Sequence, residues 1–199
     1  KTLVEYDLKN AATLKDGMWS WDYRYAADTK FYLPDDANLI FVNGTPISLD
    51  NKKGVNCHGC LMKLEYELGQ TESVKKDQWQ DKKFDVRVIT LGDVSSFEFD
   101  QPNKKITFDV NDENKYITLV MPLELLWKPY QVLLNGNSTL HHDFNPDGKT
   151  MWISIKPDKA GTVEIIGTSA VPEFPLVSLL IFGSAMAVVV RYKNKFSLR

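Results

Sequence analysis

The chain lacks a charge excess of either sign, and it lacks the common catalytic motifs. Its 24 Lys and Arg residues against 26 Asp and Glu residues give a net charge of −2, which removes any electrostatic case for nucleic-acid binding. No H-E-x-x-H, G-x-S-x-G or G-x-G-x-x-G motif is present. Gly148-Lys149-Thr150 lacks the upstream glycine of a phosphate-binding loop, because position 143 is Asp. We therefore expect a protein that is not itself an enzyme.

Cysteine is also scarce, and the two that exist are three positions apart. Cys57 and Cys60 flank His58 in the stretch GVNCHGC. A zinc site needs a second C-x-x-C, covalent haem attachment needs His at position 61, and a reactive thiol needs a helix directly after the pair. Instead, residues 61–68 alternate like a strand. We therefore predict a β-turn centred on His58 and Gly59 and closed by a Cys57–Cys60 disulfide, with a copper site as the alternative.

The other two histidines are adjacent, at His141 and His142. In an extended strand their side chains would point to opposite faces, so that both could not easily hold one ion. In a loop they could bind copper(II), which accepts imidazole readily. We favour exposed histidines without a metal, and a copper site shared with His58 is the alternative.

The stretch that follows the histidine pair matches the first half of a calcium-binding EF-hand loop. Asp143, Asn145 and Asp147 would supply oxygen ligands around the turn at Gly148. The twelfth loop position is Ser154, where that loop type needs a glutamate. A hairpin with an Asp-Gly turn explains the same residues. We therefore predict no cofactor, with copper and calcium as the alternatives.

One long apolar run lies near the C-terminus. The run FPLVSLLIFGSAMAVVV, residues 174–190, has 17 residues and no charge, which corresponds to about 26 Å of helix against roughly 30 Å of hydrocarbon. Basic residues follow at once, which predicts a cytoplasmic C-terminus. We predict a junction over 171–175, a transmembrane helix over 174–192 and a basic cytoplasmic tail over 193–199. The predicted anchor residues are Phe174, Leu176, Gly183, Val190, Arg191 and Lys193.

This topology places the remainder of the chain outside the cell, as a single-pass type I protein of the cell membrane. The first residue is Lys1 rather than Met, which fits the removal of a leader. Two N-glycosylation sequons begin at Asn43 and Asn137. Both features agree with an extracytoplasmic location.

The body of the chain has short β-branched and aromatic segments separated by Asn-Gly, Asp-Gly and Pro-containing turns. The sequence therefore predicts an all-β fold, with one or two small β-sandwich domains followed by a single C-terminal transmembrane helix. A weak internal echo relates residues 31–44 to 119–136, and each half closes on an alternating strand. We predict an N-terminal β domain over 1–70, a polar linker or loop over 71–83 and a membrane-proximal β-sandwich over 84–170, with one larger sandwich as the alternative. The Trp and Tyr residues between positions 19 and 25 fit core packing better than a carbohydrate platform.

The second half resembles a known kind of module. The residues that carry the resemblance are KITFDV at 105–110, MPLELL at 121–126, VLLNG at 132–136, VEIIGTS at 163–169 and VPEFP at 171–175, followed by the apolar run and the basic tail. Their order is similar to the membrane-proximal β-sandwich and PEF-type C-terminal anchor of archaeal exported surface proteins, including those of ammonia-oxidising archaea. The resemblance implies an exported, anchored β-protein and implies no reaction.

The sequence thus indicates a membrane-anchored extracytoplasmic β-sandwich protein that serves as a structural or interaction module at the archaeal cell surface. Its partners would be the lipid bilayer together with other membrane-protein subunits or the envelope lattice. One alternative is an accessory single-span subunit of a membrane enzyme complex such as the copper-dependent ammonia monooxygenase. The other alternative is a copper-binding carrier.

Overall fold

The computed structural model describes residues 5, 7–49, 52–79 and 82–170. This part of the chain is all-β, as predicted, with 17 strands and no helix. The predicted transmembrane helix, its junction and the basic tail lie outside the described residues. Within the described residues, no helix has the length and apolar character needed to cross a membrane.

The strands fall into four sheets. The first half of the chain forms β1 Thr13–Lys15, β2 Met18–Tyr32, β3 Leu39–Val42, β4 Thr45–Ser48 and β5 Gly54–Glu67. The second half forms β6 Thr71–Trp79, β7 Lys82–Thr90, β8 Val94–Asp100, β9 Lys105–Val110, β10 Ile117–Pro122, β11 Leu126–Trp127, β12 Gln131–Leu134, β13 Asn137–Ser138, β14 His141–Phe144, β15 Thr150–Ile155, β16 Gly161–Ile166 and β17 Ser169–Ala170.

Strand pairing defines an N-terminal sheet in the order β1-β2-β5-β3-β4, a middle sheet in the order β14-β15-β10-β7-β6 and an outer sheet in the order β13-β12-β16-β9-β8. The short strands β11 and β17 pair separately. The pairs within these sheets are antiparallel. This pattern is expected where short turns join successive strands.

The largest core lies between the middle and outer sheets. Strand β7 shows why, since its buried residues alternate with exposed ones and include Phe84, Val86 and Val88. Strands β10 and β15 of the middle sheet and β9, β12 and β16 of the outer sheet add buried residues to the same cluster. Two antiparallel sheets that share one core in this way are consistent with a β-sandwich.

The N-terminal sheet packs on the opposite face of the middle sheet. Ile89 of β7 and Trp152 of β15 alternate with residues of the main core, so they point away from it. They pack against a second cluster that includes Met18, Leu39 and Phe41 of the N-terminal sheet. The other face of the N-terminal sheet has its own small core, which contains the predicted core aromatics Trp21 and Tyr23.

Two predictions about local structure are wrong. Residues 71–79 form an edge strand, β6, that pairs along its whole length with β7, rather than a linker or loop. GVNCHGC lies inside β5 rather than in a turn, because β5 continues through it and pairs with β2. Gly59 has a φ of 65° at a bulge where the register shifts between Tyr25 and Asp28, so the strand bends without reversing.

The N-terminal and outer sheets share one topology. Reading the outer sheet in reverse gives β8-β9-β16-β12-β13, which parallels β1-β2-β5-β3-β4. In both sheets an Asn-Gly turn joins the last two strands of this order. The strand that comes last in the sequence, β5 or β16, lies at the centre of its sheet. Only the later part of the predicted echo lies at equivalent positions of the two sheets, because 39–44 and 131–136 contain β3 and β12 with their Asn-Gly turns. The earlier part does not, since 31–32 belong to β2 whereas 119–122 belong to β10 of the middle sheet, and the division into domains stays a prediction. The outer sheet differs in that its chain also leaves it to contribute β10, β14 and β15 to the middle sheet.

Candidate functional site at the sheet junction

Two buried carboxylates occupy the junction between the N-terminal and middle sheets. Along β5, Met62, Leu64 and Tyr66 point into the small N-terminal core, so the residues that directly follow Leu64 and Tyr66 point toward the middle sheet. These are Glu65, which is 4% exposed, and Glu67, which is 1% exposed. A buried carboxylate costs free energy unless it is paired or hydrogen-bonded, so their partners define the site.

Glu65 has three partners, and we call this group the carboxylate cluster. Its Oε1 lies 2.8 Å from Lys63 Nζ and 3.0 Å from Lys156 Nζ, and its Oε2 accepts a 2.6 Å hydrogen bond from the Tyr116 hydroxyl. Burial raises the pKa of Glu65, but the hydrogen bonds from Lys63, Tyr116 and Lys156 outweigh it and leave the pKa below its usual value. Glu65 is therefore ionised at neutral pH.

Residues beside the middle sheet complete this cluster. Tyr116 directly precedes β10, and its ring stacks on Phe41 at a centroid distance of 3.6 Å with 7° between the planes. Lys156 directly follows β15, and its Nζ lies 5.0 Å from the centre of the Tyr116 ring. Burial and the hydrogen bond to Glu65 raise the pKa of Tyr116, so the phenol remains a hydrogen-bond donor at neutral pH.

Glu67 is bound by weaker, neutral donors. Gln70 Nε2 donates to Oε2 at 3.0 Å, and the Tyr116 backbone N–H donates to Oε1 at 3.4 Å. Burial raises the pKa of Glu67, and these bonds together with the charges of Lys115 and Lys156 offset it only in part. Two carboxylates on one face of one strand thus have pKa values shifted in opposite directions.

The carboxylate cluster joins the N-terminal and middle sheets. Clefts of about 330 and 300 Å³ flank it, and Lys63, Glu65 and Lys156 line both. The Glu65 carboxylate already has three donors, and its pKa is lowered while that of Tyr116 is raised. These ion pairs and this hydrogen bond therefore stabilise the contact between the N-terminal and middle sheets.

A third cleft, of about 380 Å³, opens between the same two sheets on the side of Glu67. We call it the tryptophan cleft, because Trp152 lines it. Its other lining residues are Asp36, Asn38, Leu39, Ser48, Glu67, Gly69, Gln70, Glu72, Arg87 and Ile89. Arg87 Nε lies 3.2 Å from Glu72 Oε1, although its N–H is not aligned for a hydrogen bond.

The three histidines predicted as metal ligands do not lie together in the structure. His58 Nδ1 lies 3.0 Å from Asp28 Oδ1 on an exposed surface, whereas His141 and His142 lie on β14 of another sheet. His142 faces the Asn-Gly turn at Gly44, and its pKa is lowered first by burial and then by His141. Over the described part of the chain, no group of three His, Cys, Asp or Glu side chains could hold a metal ion.

The EF-hand-like stretch forms a hairpin between β14 and β15. Asn145 Oδ1 accepts a hydrogen bond from the Gly148 N–H, and Asp147 Oδ1 accepts from the N–H groups of Lys149 and Thr150. These bonds lower the pKa of Asp147. The side-chain oxygens that calcium would need thus stabilise the turn, as the hairpin interpretation predicts.

The remaining predicted residues are the two sequon asparagines and the cysteine pair. The sequon residues Asn43 and Asn137 are both exposed. Asn43 Oδ1 accepts a hydrogen bond from the Lys63 N–H, and Asn137 Nδ2 donates to the Asn135 carbonyl. The side chain of Cys60 lies outside the described part of the chain, so the disulfide stays a prediction.

Sequence reasoning missed the carboxylate cluster and the tryptophan cleft. In the alternating stretch of β5, Lys63, Glu65 and Glu67 have the pattern of a solvent-facing side. The burial of Glu65 depends on Tyr116 and Lys156, which are 51 and 91 positions away. No local signal in the sequence relates these positions.

No protein-family model matches the chain, and neither a curated protein nor a solved structure matches it significantly.

Proposed function

We propose that this chain is an anchored extracytoplasmic β-protein that acts as a structural or interaction module at the cell surface. The observation that carries the proposal is the position of the last described strand. The strand β17 pairs with β11 and ends at Ala170, and only three residues separate it from the uncharged run that begins at Phe174. Four residue steps span at most about 14 Å, so a membrane-embedded run would hold the β11–β17 end of the body close to the bilayer.

The surface at this end suits such a position. The Trp127 side chain is 46% exposed on β11, and the exposed Lys128 follows it. Lys104 Nζ donates to the Thr168 carbonyl beside β17. Tryptophan and lysine are the residues favoured at the boundary between lipid and water. The resemblance to archaeal surface proteins with a PEF-type anchor supports the same assignment.

The predicted disulfide belongs to this proposal, because it requires an oxidising compartment. Residues three apart in a regular strand are separated by about 10 Å, beyond the reach of a disulfide. The left-handed Gly59 between Cys57 and Cys60 bends the strand, which supports a shorter separation of the two cysteines. Alkylation of the exported protein without prior reduction should therefore label neither cysteine, and one label on each would exclude the disulfide.

The anchor is tested with the full chain exported behind a secretion signal and tagged at its C-terminus. We expect the protein to remain in membranes after alkaline carbonate extraction, with the tag protected from external protease. Replacing Leu180 and Ile181 together by arginine should release it, because each charge at the centre of a span costs about 2.5–3.5 kcal/mol. The matched control places two arginines at Ser197 and Leu198, in the predicted tail. Release of the unaltered chain, or cleavage of its tag from outside, would contradict the proposal.

A further inference from the structure

The tryptophan cleft combines an aromatic side chain with a ring of polar ones. Trp152 is partly buried and also contacts the hydrophobic cluster at the sheet junction. Asp36, Asn38 and Gln70 come from the loops around the N-terminal sheet, whereas Arg87 comes from β7. At about 380 Å³ the cleft is within the usual range of small-molecule sites, which is about 300–1,000 Å³.

The polar side chains of the cleft can each form two hydrogen bonds in one plane. Carboxylates, amides and a guanidinium each present two or more donors or acceptors in one plane. Adjacent hydroxyl groups of a sugar ring present matching pairs, because each hydroxyl both donates and accepts. An indole adds an apolar face with a negative quadrupole, on which the C–H face of a sugar ring can pack. The two clefts beside Glu65 contain no tryptophan among their lining residues.

Charge narrows the class of ligand. The carboxylates of Asp36, Glu67 and Glu72 outnumber the single guanidinium of Arg87. Arg87 already faces Glu72 at 3.2 Å, so it is partly neutralised. An anionic sugar would therefore meet repulsion, whereas a neutral sugar would not.

We propose that the tryptophan cleft is a binding site for neutral oligosaccharides, with Trp152 as the stacking platform and Asn38, Gln70 and Arg87 as hydrogen-bonding groups. This inference does not rest on the membrane anchor, because all of its residues belong to the β-body. It gives the interaction module of the proposed function a class of ligand.

The experiment uses the full chain in a non-glycosidic detergent, because sugar-based detergents would compete for the cleft. Saturation-transfer NMR and titration are run with cellobiose, maltose, mannobiose and N,N′-diacetylchitobiose as neutral probes and with a heparin disaccharide as the anionic probe. We expect at least one neutral probe to bind with a Kd on the order of 1 mM, and the heparin disaccharide to bind at least tenfold more weakly.

Variants locate the binding within the molecule. Trp152→Ala should weaken binding of the neutral probe at least tenfold. Asn38→Ala should weaken it severalfold and changes an exposed side chain, so it keeps the test valid if Trp152→Ala fails to fold. Trp127→Ala, a tryptophan outside the cleft, is the matched control and should leave binding unchanged.

Three results would overturn the proposal. The first is that no neutral probe binds with a Kd below about 20 mM. The second is that a folded Trp152→Ala or Asn38→Ala protein binds as well as the unaltered chain. The third is that the heparin disaccharide binds as tightly as the neutral probe. Loss of membrane association would bear on the anchor alone.

Discussion

Glu65 and Glu67 lie two positions apart on one strand, yet their surroundings act on them in opposite ways. Two ammonium groups and a phenol surround the Glu65 carboxylate, whereas Glu67 accepts from an amide side chain and one backbone N–H. Ionisation therefore stabilises the junction at Glu65 and destabilises it at Glu67. The difference arises from which side chains the middle sheet brings to each position.

The signs with pH follow from the two pKa shifts. The pKa of Glu65 is lower in the folded chain than the ordinary value of 4.5. Its pKa shift therefore stabilises the folded chain fully above pH 4.5, and this stabilisation is lost as the pH falls through the folded pKa. The pKa of Glu67 is higher than 4.5 in the folded chain. The protonated side chain therefore leaves the folded chain at its full stability below pH 4.5, and that stability is lost as the pH rises through the folded pKa.

We therefore expect opposite effects from two isosteric substitutions. Glu65→Gln should lower the free energy of unfolding at pH 7 by about 1.5–3 kcal/mol. This is less than a fully buried pair costs when it is broken, because Lys63 and Lys156 reach solvent. Glu67→Gln should raise it at pH 7 by about 1 kcal/mol, and the gain should disappear below pH 4.5. Urea unfolding of each variant between pH 4 and 8 measures both, and equal signs at pH 7 would contradict the assignment.

Two Asn-Gly turns provide a comparison at the scale of single elements. Gly44 joins β3 to β4 with a φ of 85°, and Gly136 joins β12 to β13 with a φ of 78°. Both positions are left-handed, so a Cβ at either costs about 1–2 kcal/mol. A Cβ on Gly136 would meet no atom within 4 Å, whereas one on Gly44 would clash with His142 Nε2. The β3–β4 turn is thus also packed against the middle sheet.

Gly44→Ala should therefore destabilise the chain by about 1 kcal/mol more than Gly136→Ala, the matched control. The additional cost should disappear in a His142→Ala background, because the clash is with that imidazole. Thermal unfolding of the four combinations of Gly44→Ala and His142→Ala forms the required cycle. An additional cost that persists without the imidazole would show that the turn is not packed against His142.

An element can be predicted from the sequence when neighbouring residues determine it, and not when it depends on contacts with distant residues. Strand alternation and Asn-Gly turns are local, and the all-β body and the hairpins followed from them. Strand β6 was missed because its charged residues suit both a loop and a sheet edge that must avoid pairing with other chains. The bulge at Gly59 was missed because it forms only against Ala26, more than thirty positions away. The tryptophan cleft likewise requires residues of two sheets.

At the scale of the whole molecule, the three large sheets form a stack with a membrane-facing end under the anchor proposal. The middle sheet is covered on one face by the outer sheet and on the other by the N-terminal sheet. The β11–β17 pair lies where the described chain ends. The tryptophan cleft lies instead at the junction of the N-terminal and middle sheets. Attachment and ligand binding would thus use different parts of the body.

This separation predicts how the tryptophans respond to lipid. In liposomes that contain brominated acyl chains, the full chain should lose part of its fluorescence, because Trp127 is 46% exposed on the strand paired with β17. Trp127→Phe should remove most of that quenching, whereas Trp152→Phe, which alters a tryptophan of the cleft, should leave it unchanged. Carbonate extraction of the same liposomes verifies that every variant is inserted. Quenching that survives unchanged in inserted Trp127→Phe protein would come from another tryptophan, and would mean that another surface faces the bilayer.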